Sequence, residues 1–102
     1  MTNLSIETSR PVALITGAGK QRVGYYVAQI LADRGFDLAV HYNRSENEAR
    51  QTVASIVEKG VRAVALQADV SNPASIDGMF TELKDQFGRL DLLVTSAAIW
   101  DP

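Results

Sequence analysis

Residues 12–24 read Val12-Ala13-Leu14-Ile15-Thr16-Gly17-Ala18-Gly19-Lys20-Gln21-Arg22-Val23-Gly24. A five-residue apolar run passes directly into a loop of small and basic residues, and the loop opens an amphipathic stretch. Short, nearly continuous apolar runs suit strands buried on both faces, as in parallel sheets. Pro11 stands before the run, where a missing N–H costs least. Beyond the loop, Val23, Val27, Ile30 and Leu31 fall on one face of a helix, and Gly35 sits past its last turn as a C-cap.

The same alternation continues along the chain. Leu38–Tyr42, the weaker run Ala63–Ala68, and Leu92–Thr95 read as three further strands. Ser45-Glu46-Asn47-Glu48 has the spacing of a capping box and opens a second helix, which closes at Gly60 and has Val53, Ile56 and Val57 as its apolar face. A third helix starts at Asn72 with Pro73 in its first turn and closes at Gly88. Its buried stripe is Ile76, Phe80, Leu83 and Phe87, with Met79 also in the core. The order is β-α-β-α-β-α-β, and right-handed crossovers make it an α/β fold: a Rossmann-type doubly wound parallel sheet, truncated after the fourth strand. Residues 1–10 read as a polar tail and residues 11–102 as one half-domain. His41, on an apolar strand, reads as a hydrogen-bonded structural histidine, and Tyr25-Tyr26 as helix packing.

Composition narrows the function classes. The 102 residues are 46% hydrophobic and 22% charged, with net charge −2, no cysteine and one histidine. Neither nucleic acid nor an anionic membrane is indicated as a partner by that charge. Disulfides and thiolate metal sites are excluded, and one histidine argues against zinc. No run approaches the ~18 apolar residues of a membrane span. A cytoplasmic protein is expected.

The loop after the first run carries the first chemical signal. Glycines let the backbone turn sharply and approach a ligand, and the helix N-terminus beyond offers free N–H groups to a pyrophosphate. The glycines at Gly17, Gly19 and Gly24 do not have the usual dinucleotide spacing, and no Walker Lys-Ser or Lys-Thr pair is present. The end of the second strand discriminates further. Folds that bind NAD usually place a carboxylate there for the ribose hydroxyls. Here the segment reads His41-Tyr42-Asn43-Arg44-Ser45, with no acid before Glu46. Arg44 can pair with a phosphate dianion, Asn43 and Ser45 can donate to it, and Lys20 and Arg22 add positive charge. This pattern favours NADP(H). In the alternative, Arg44 is a solvated loop residue and Ser45 only a helix cap.

Thr16-Gly17 with the Arg22-Val23-Gly24 ending, the Asp69-Val70 pair, and Leu90-Asp91-Leu92-Leu93-Val94 together resemble the short-chain dehydrogenase/reductase family over residues 11–102. His41-Tyr42-Asn43-Arg44-Ser45 and the loop arginine are most similar to its pteridine reductase-like branch. The resemblance implies that Arg22, Asn43, Arg44 and Ser45 contact the cofactor phosphates, with Gly17, Lys20 and Val23 in the same loop. It implies that Asp69 and Val70 bracket the adenine, and that Ser96, Ala97 and Ala98 run along the nicotinamide-side ribose. Trp100 stands where that branch stacks an aromatic on a flat substrate. Two departures stand out. Thr95-Ser96-Ala97-Ala98 replaces the family's Asn-Asn-Ala-Gly, and the glycine loop is one residue longer than the pteridine reductase form.

The family's catalytic serine and Tyr-x-x-x-Lys pair are not found: Tyr25, Tyr26 and Tyr42 have no lysine four residues on. The chain therefore reads as the cofactor-binding part of an NADP(H)-dependent oxidoreductase, inactive alone, whose small-molecule substrate meets only the complete protein. A stand-alone NADP(H)-binding module and a folded remnant are the alternatives. Family-like strand order places the fourth strand at an open edge, with one sheet face covered by the third helix only. Self-association through that strand and face is expected.

Overall fold

In the computed structural model the apolar run Val12–Thr16 forms β1, followed by α1 (Arg22–Asp33), β2 (Asp37–Tyr42), α2 (Glu46–Val57), β3 (Ala63–Gln67), α3 (Pro73–Phe87) and β4 (Leu92–Thr95). The structure describes residues 10–16 and 22–95, the side chains of Arg22 and Val23 excepted. The tail 1–9, Gly17, Lys20, Ser96, Ala97, Ala98 and Trp100 lie outside the described residues.

All strand pairs are parallel and the sheet order is β3-β2-β1-β4. The chain steps outward from β1 to β2 and β3, then returns across β1 to lay β4 on its other side. β1 is therefore the strand at which the winding direction reverses. In sheets of this kind ligands bind outside the carboxyl ends of the strands at that reversal.

Alternation along the strands divides the core between two faces. Ala13, Ile15, Leu38 and Val40 meet Ala28 and Ala32 of α1 and Ala49 and Ile56 of α2 on one side. Leu14, Ala39 and Leu66 meet Met79 and Leu83 of α3 on the other. Two helices thus cover one face and α3 alone covers the other. β4 receives little cover: Leu92 is 37% exposed and Leu93 49%. Successive strand residues point to opposite faces, so exposure of both means that β4 is open on each side.

Three helix faces differ from the sequence expectation. Among the described side chains of α1, Gly24, Ala28 and Ala32 are buried and Ile30 is exposed, while Val23 lies outside them. Small residues let the helix axis approach the sheet, so the larger Val27 and Leu31 flank the contact and Ile30 turns outward. In α2 the buried residues are Ala49, Thr52 and Ile56, while Val57 is exposed. In α3 they are Met79 and Leu83, while Phe80 is exposed. Tyr25 and Tyr26 are exposed too, meeting edge to face with ring centroids 5.4 Å apart, and so contribute no core packing.

The helix ends show which caps form. Asn72 accepts from the N–H groups of Ala74 and Ser75, and Pro73 occupies the first turn. Gly88 closes α3 with φ +78°, a left-handed conformation that side chains resist. Ser45 departs from the capping-box expectation. Its backbone sits at φ −93°, ψ 61°, and its side chain makes no cap bond. At that ψ the chain is not extended as capping geometry requires. Glu46 bonds Arg50 one turn on instead.

At the amino ends of the strands two aspartates tie neighbours together. Asp37 accepts from the Arg62 N–H. Asp91 accepts from the Val12 N–H at 2.8 Å and from Arg89, and its own N–H donates to the Val12 carbonyl. The Arg89 guanidinium and the Val12 N–H, in that order, hold the Asp91 carboxyl below its ordinary range.

Candidate functional site

Because the strands are parallel, Thr16, Tyr42, Gln67 and Thr95 end on one edge of the sheet. Residues 43–45 after β2 and 68–72 after β3 project beyond that edge side by side. Hydrogen bonds fix the second segment. Buried His41 donates from Nε2 to the Ala68 carbonyl at 2.8 Å, and the Ala68 N–H donates to the Tyr42 carbonyl at 3.0 Å. The expected structural role of His41 is thus present, and its position gives it a second one: it sets where the Asp69-Val70 segment begins. The Asp69 N–H then donates to Ser75 Oγ at 2.9 Å, which ties the segment to the first turn of α3.

Asp69 is ionised at neutral pH. The Ser71 hydroxyl (2.7 Å) and then the Ser71 N–H (3.0 Å) bond its Oδ1 and pull the carboxyl below its ordinary range, and Arg44 adds a smaller electrostatic pull. Val70, beside it, exposes 57% of its surface, an apolar patch at the rim of the edge.

Asn43 and Arg44 are exposed and Ser45 is half-buried. Gln67 Nε2, at the end of β3, donates to both the backbone carbonyl and Oδ1 of Asn43, at 3.2 and 3.3 Å. Among the described residues no carboxylate lies within ion-pair distance of Arg44. The acid next in sequence, Glu46, is held by Arg50. Three consecutive residues therefore offer a guanidinium, an amide and a hydroxyl with no carboxylate among them. Such a donor set could hold a phosphate monoester.

Of the residues singled out from sequence, the structure brings together Asn43, Arg44, Ser45, Asp69 and Val70 on one edge. Two residues hold the segments in place through hydrogen bonds: His41, expected to be structural, and Gln67, which carries no motif signal. His41 could have been found as the polar residue of a buried strand whose neighbour strand ends in a loop. Gln67 gives no such signal, because its pairing in register with Tyr42 emerges only in the folded sheet.

A separate cavity of about 270 Å³ is lined by Phe80, Leu83, Lys84, Gly88, Arg89 and Leu90 at the far end of α3. Arg89 is paired with Asp91 there, so the cavity lacks a convergent set of reactive groups. Among the described residues no cluster of histidine and acidic side chains could hold a metal ion, and no helix is long and apolar enough to cross a membrane.

The chain is 40% identical over 86 residues to the hydroxynaphthalene reductase-like protein Arp2 of Metarhizium anisopliae, which covers 84% of this chain and 32% of that protein. It thus spans about a third of the length of that relative. It is also 40% identical over 88 residues to the short-chain dehydrogenase/reductase homolog YusS of Bacillus subtilis, covering 86% of this chain and 80% of that one. Among solved structures, a protein from Burkholderia cenocepacia with bound NADP superimposes with a TM-score of 0.79 and 32% identity, over 85% of this chain and 34% of that one. A xylitol dehydrogenase with bound NAD+ superimposes with a TM-score of 0.77 and 30% identity, over 84% of this chain and 33% of that one. The short chain dehydrogenase family model matches residues 11–102, and with the parallel sheet, its reversal at β1 and these relatives, the chain belongs to the short-chain dehydrogenase family.

Proposed function

We propose that this chain binds NADP(H) and forms the cofactor-binding part of an NADP(H)-dependent oxidoreductase acting on a carbonyl or imine substrate. The observation that carries the reading is the donor set Asn43-Arg44-Ser45, with Arg44 exposed and unpaired by any described carboxylate and the acid next in sequence, Glu46, engaged by Arg50. Arg44 holds the 2′-phosphate, with Asn43 and Ser45 donating to it. Asp69 and Val70 bracket the adenine: the N–H anchors of that loop fix its path, and Val70 offers apolar surface to a ring. Gly17, Lys20, Arg22 and Val23 lie along the pyrophosphate and Ser96, Ala97 and Ala98 along the second ribose, on the strength of the family resemblance. The nicotinamide gives or takes the hydride; the residues named here bind and orient the cofactor. The same resemblance supports a flat substrate of the pteridine class stacked on Trp100.

Among the family neighbours one structure holds NADP and another NAD+, so the fold alone leaves the choice of cofactor to these side chains. The test is a titration of the chain with NADPH and with NADH, followed by tryptophan quenching, before and after Arg44→Ala. NADPH binds more tightly to the unmodified chain. Arg44→Ala then weakens NADPH about tenfold or more, since a hydrogen bond to a charged group contributes roughly 1.5–3 kcal/mol, and leaves NADH unchanged. Equal binding of the two cofactors before and after the substitution refutes the reading.

A second reading is a non-catalytic NADP(H)-binding module. It is favoured by YusS, a family relative of which this chain covers 80%, and by the lack of lysine four residues after Tyr25, Tyr26 or Tyr42. Full NADPH binding without turnover of any carbonyl compound distinguishes it from the first.

A further inference from the structure

We infer that Gln67 is a positioning residue for cofactor choice: it orients the Asn43 amide so that the nitrogen, and not the oxygen, faces the 2′-phosphate. The inference rests on the cofactor reading above and adds a determinant on a different strand. The Asn43 backbone carbonyl can only accept a hydrogen bond. Gln67 lies 3.2 Å from it and must therefore present its NH2 group, because its own oxygen would face another acceptor. That same nitrogen lies 3.3 Å from the Asn43 side chain, so the Asn43 atom facing it must be Oδ1. One backbone carbonyl thus sets both amide orientations, and neither rests on telling nitrogen from oxygen by shape.

With Oδ1 engaged by Gln67, Nδ2 of Asn43 keeps its two N–H groups for another acceptor, and both Asn43 and the next residue, Arg44, are exposed. A phosphate monoester has acceptor oxygens only, so an outward amide nitrogen attracts it. The flipped amide would set an oxygen against it. A ribose hydroxyl donates as well as accepts and would tolerate either orientation. Gln67 therefore acts on the discrimination between NADPH and NADH and not on nucleotide binding in general. Its position at the end of β3, in register with Tyr42, lets one side chain bridge two strand ends without touching the cofactor.

The test is Gln67→Met, which keeps length and removes the donor, measured alone and in an Asn43→Ala background by titration with NADPH and NADH. Gln67 is exposed, and the melting temperature serves as a control for folding. The expected result is a loss of NADPH affinity of about three- to tenfold, in keeping with one exposed hydrogen bond that orients a phosphate donor. NADH affinity is unchanged, and Gln67→Met has no further effect once Asn43 is alanine. A fall in both affinities together, an unchanged NADPH affinity, or an equal effect in the Asn43→Ala background overturns the inference. The two readings fail differently. If the unmodified chain does not prefer NADPH, the cofactor reading falls and this one with it. If it does, and Asn43→Ala removes part of the preference while Gln67→Met removes none, only the role of Gln67 falls.

Discussion

Replacing His41 with phenylalanine separates the two loops of the site. The ring is 4% exposed, and its Nε2 donates to the Ala68 carbonyl at 2.8 Å. Ala68 is fully buried and its N–H already bonds the Tyr42 carbonyl, so the strand end cannot shift to find water without breaking a second bond. Phenylalanine keeps a flat ring in the space but offers no donor. A buried carbonyl left without its partner costs about 1–3 kcal/mol, which in a domain of this size lowers the melting temperature by roughly 4–20 °C. Thermal and urea melts at neutral pH measure it. Because the Ala68 carbonyl starts the segment that carries Asp69 and Val70, and the adenine is common to both cofactors, NADPH and NADH affinities should fall by the same factor. An unchanged melt would show that the carbonyl finds another donor at no cost. A selective loss of NADPH would show that His41 acts through Arg44 and not through the adenine loop.

Two further outcomes test the sheet itself. The Asp91 carboxyl is held below its ordinary value of 3.8, first by Arg89 and then by the Val12 N–H. A group whose folded pKa is depressed contributes stability in full above its unfolded value and loses it as pH falls through the folded one. Asp91→Asn should therefore destabilise the chain from neutral pH down to about 4, and the mutant and parent curves should converge below that; parallel curves down to pH 2 would refute the ion-pair account. For β4, Leu93→Glu places a charge on a half-exposed strand face, where a substitution changes stability by about 0.5 kcal/mol or less. It should shift a self-associating chain to monomer in sedimentation velocity, and a parent chain that already sediments as a single monomer would refute that reading.

The strands and their order of appearance could be read from the sequence because parallel strands in this sheet are apolar almost throughout, and neither periodicity nor partner need be known to see them. Helix faces were less legible. The sequence pattern marks the largest apolar residues, whereas contact with the sheet in α1 is made by Gly24, Ala28 and Ala32, whose small size brings the backbones together. Ile30, Val57 and Phe80 are apolar yet exposed, because which side of a helix meets the sheet is set only when the layers assemble. The donor side chains at 43–45 could be read as a candidate site because side-chain chemistry at a strand end needs no tertiary information. Gln67 could not, and for His41 only a hydrogen-bonded structural role could, without its partner. Their roles depend on which carbonyl of a neighbouring strand end they reach, and that follows from the register of β2 against β3.

Arg44 has two competing partners, and the order of effects at Asp69 decides between them. A guanidinium committed to that carboxylate would be the first cause of its lowered pKa. Instead the Ser71 hydroxyl comes first, the Ser71 N–H second, and Arg44 acts only as a weaker field. No described carboxylate lies within 4.0 Å of Arg44. The Asp69 charge is thus stabilised locally, and Arg44 remains available to a stronger anion. A phosphate monoester carries about −1.5 to −2 charges near neutral pH and accepts paired N–H bonds from a guanidinium. It should therefore outcompete Asp69 for Arg44 while Asp69 keeps its bonds to Ser71. On the proposed reading a ribose hydroxyl, uncharged, gives Arg44 no comparable gain, and the expected outcome is a preference for the cofactor that carries the phosphate.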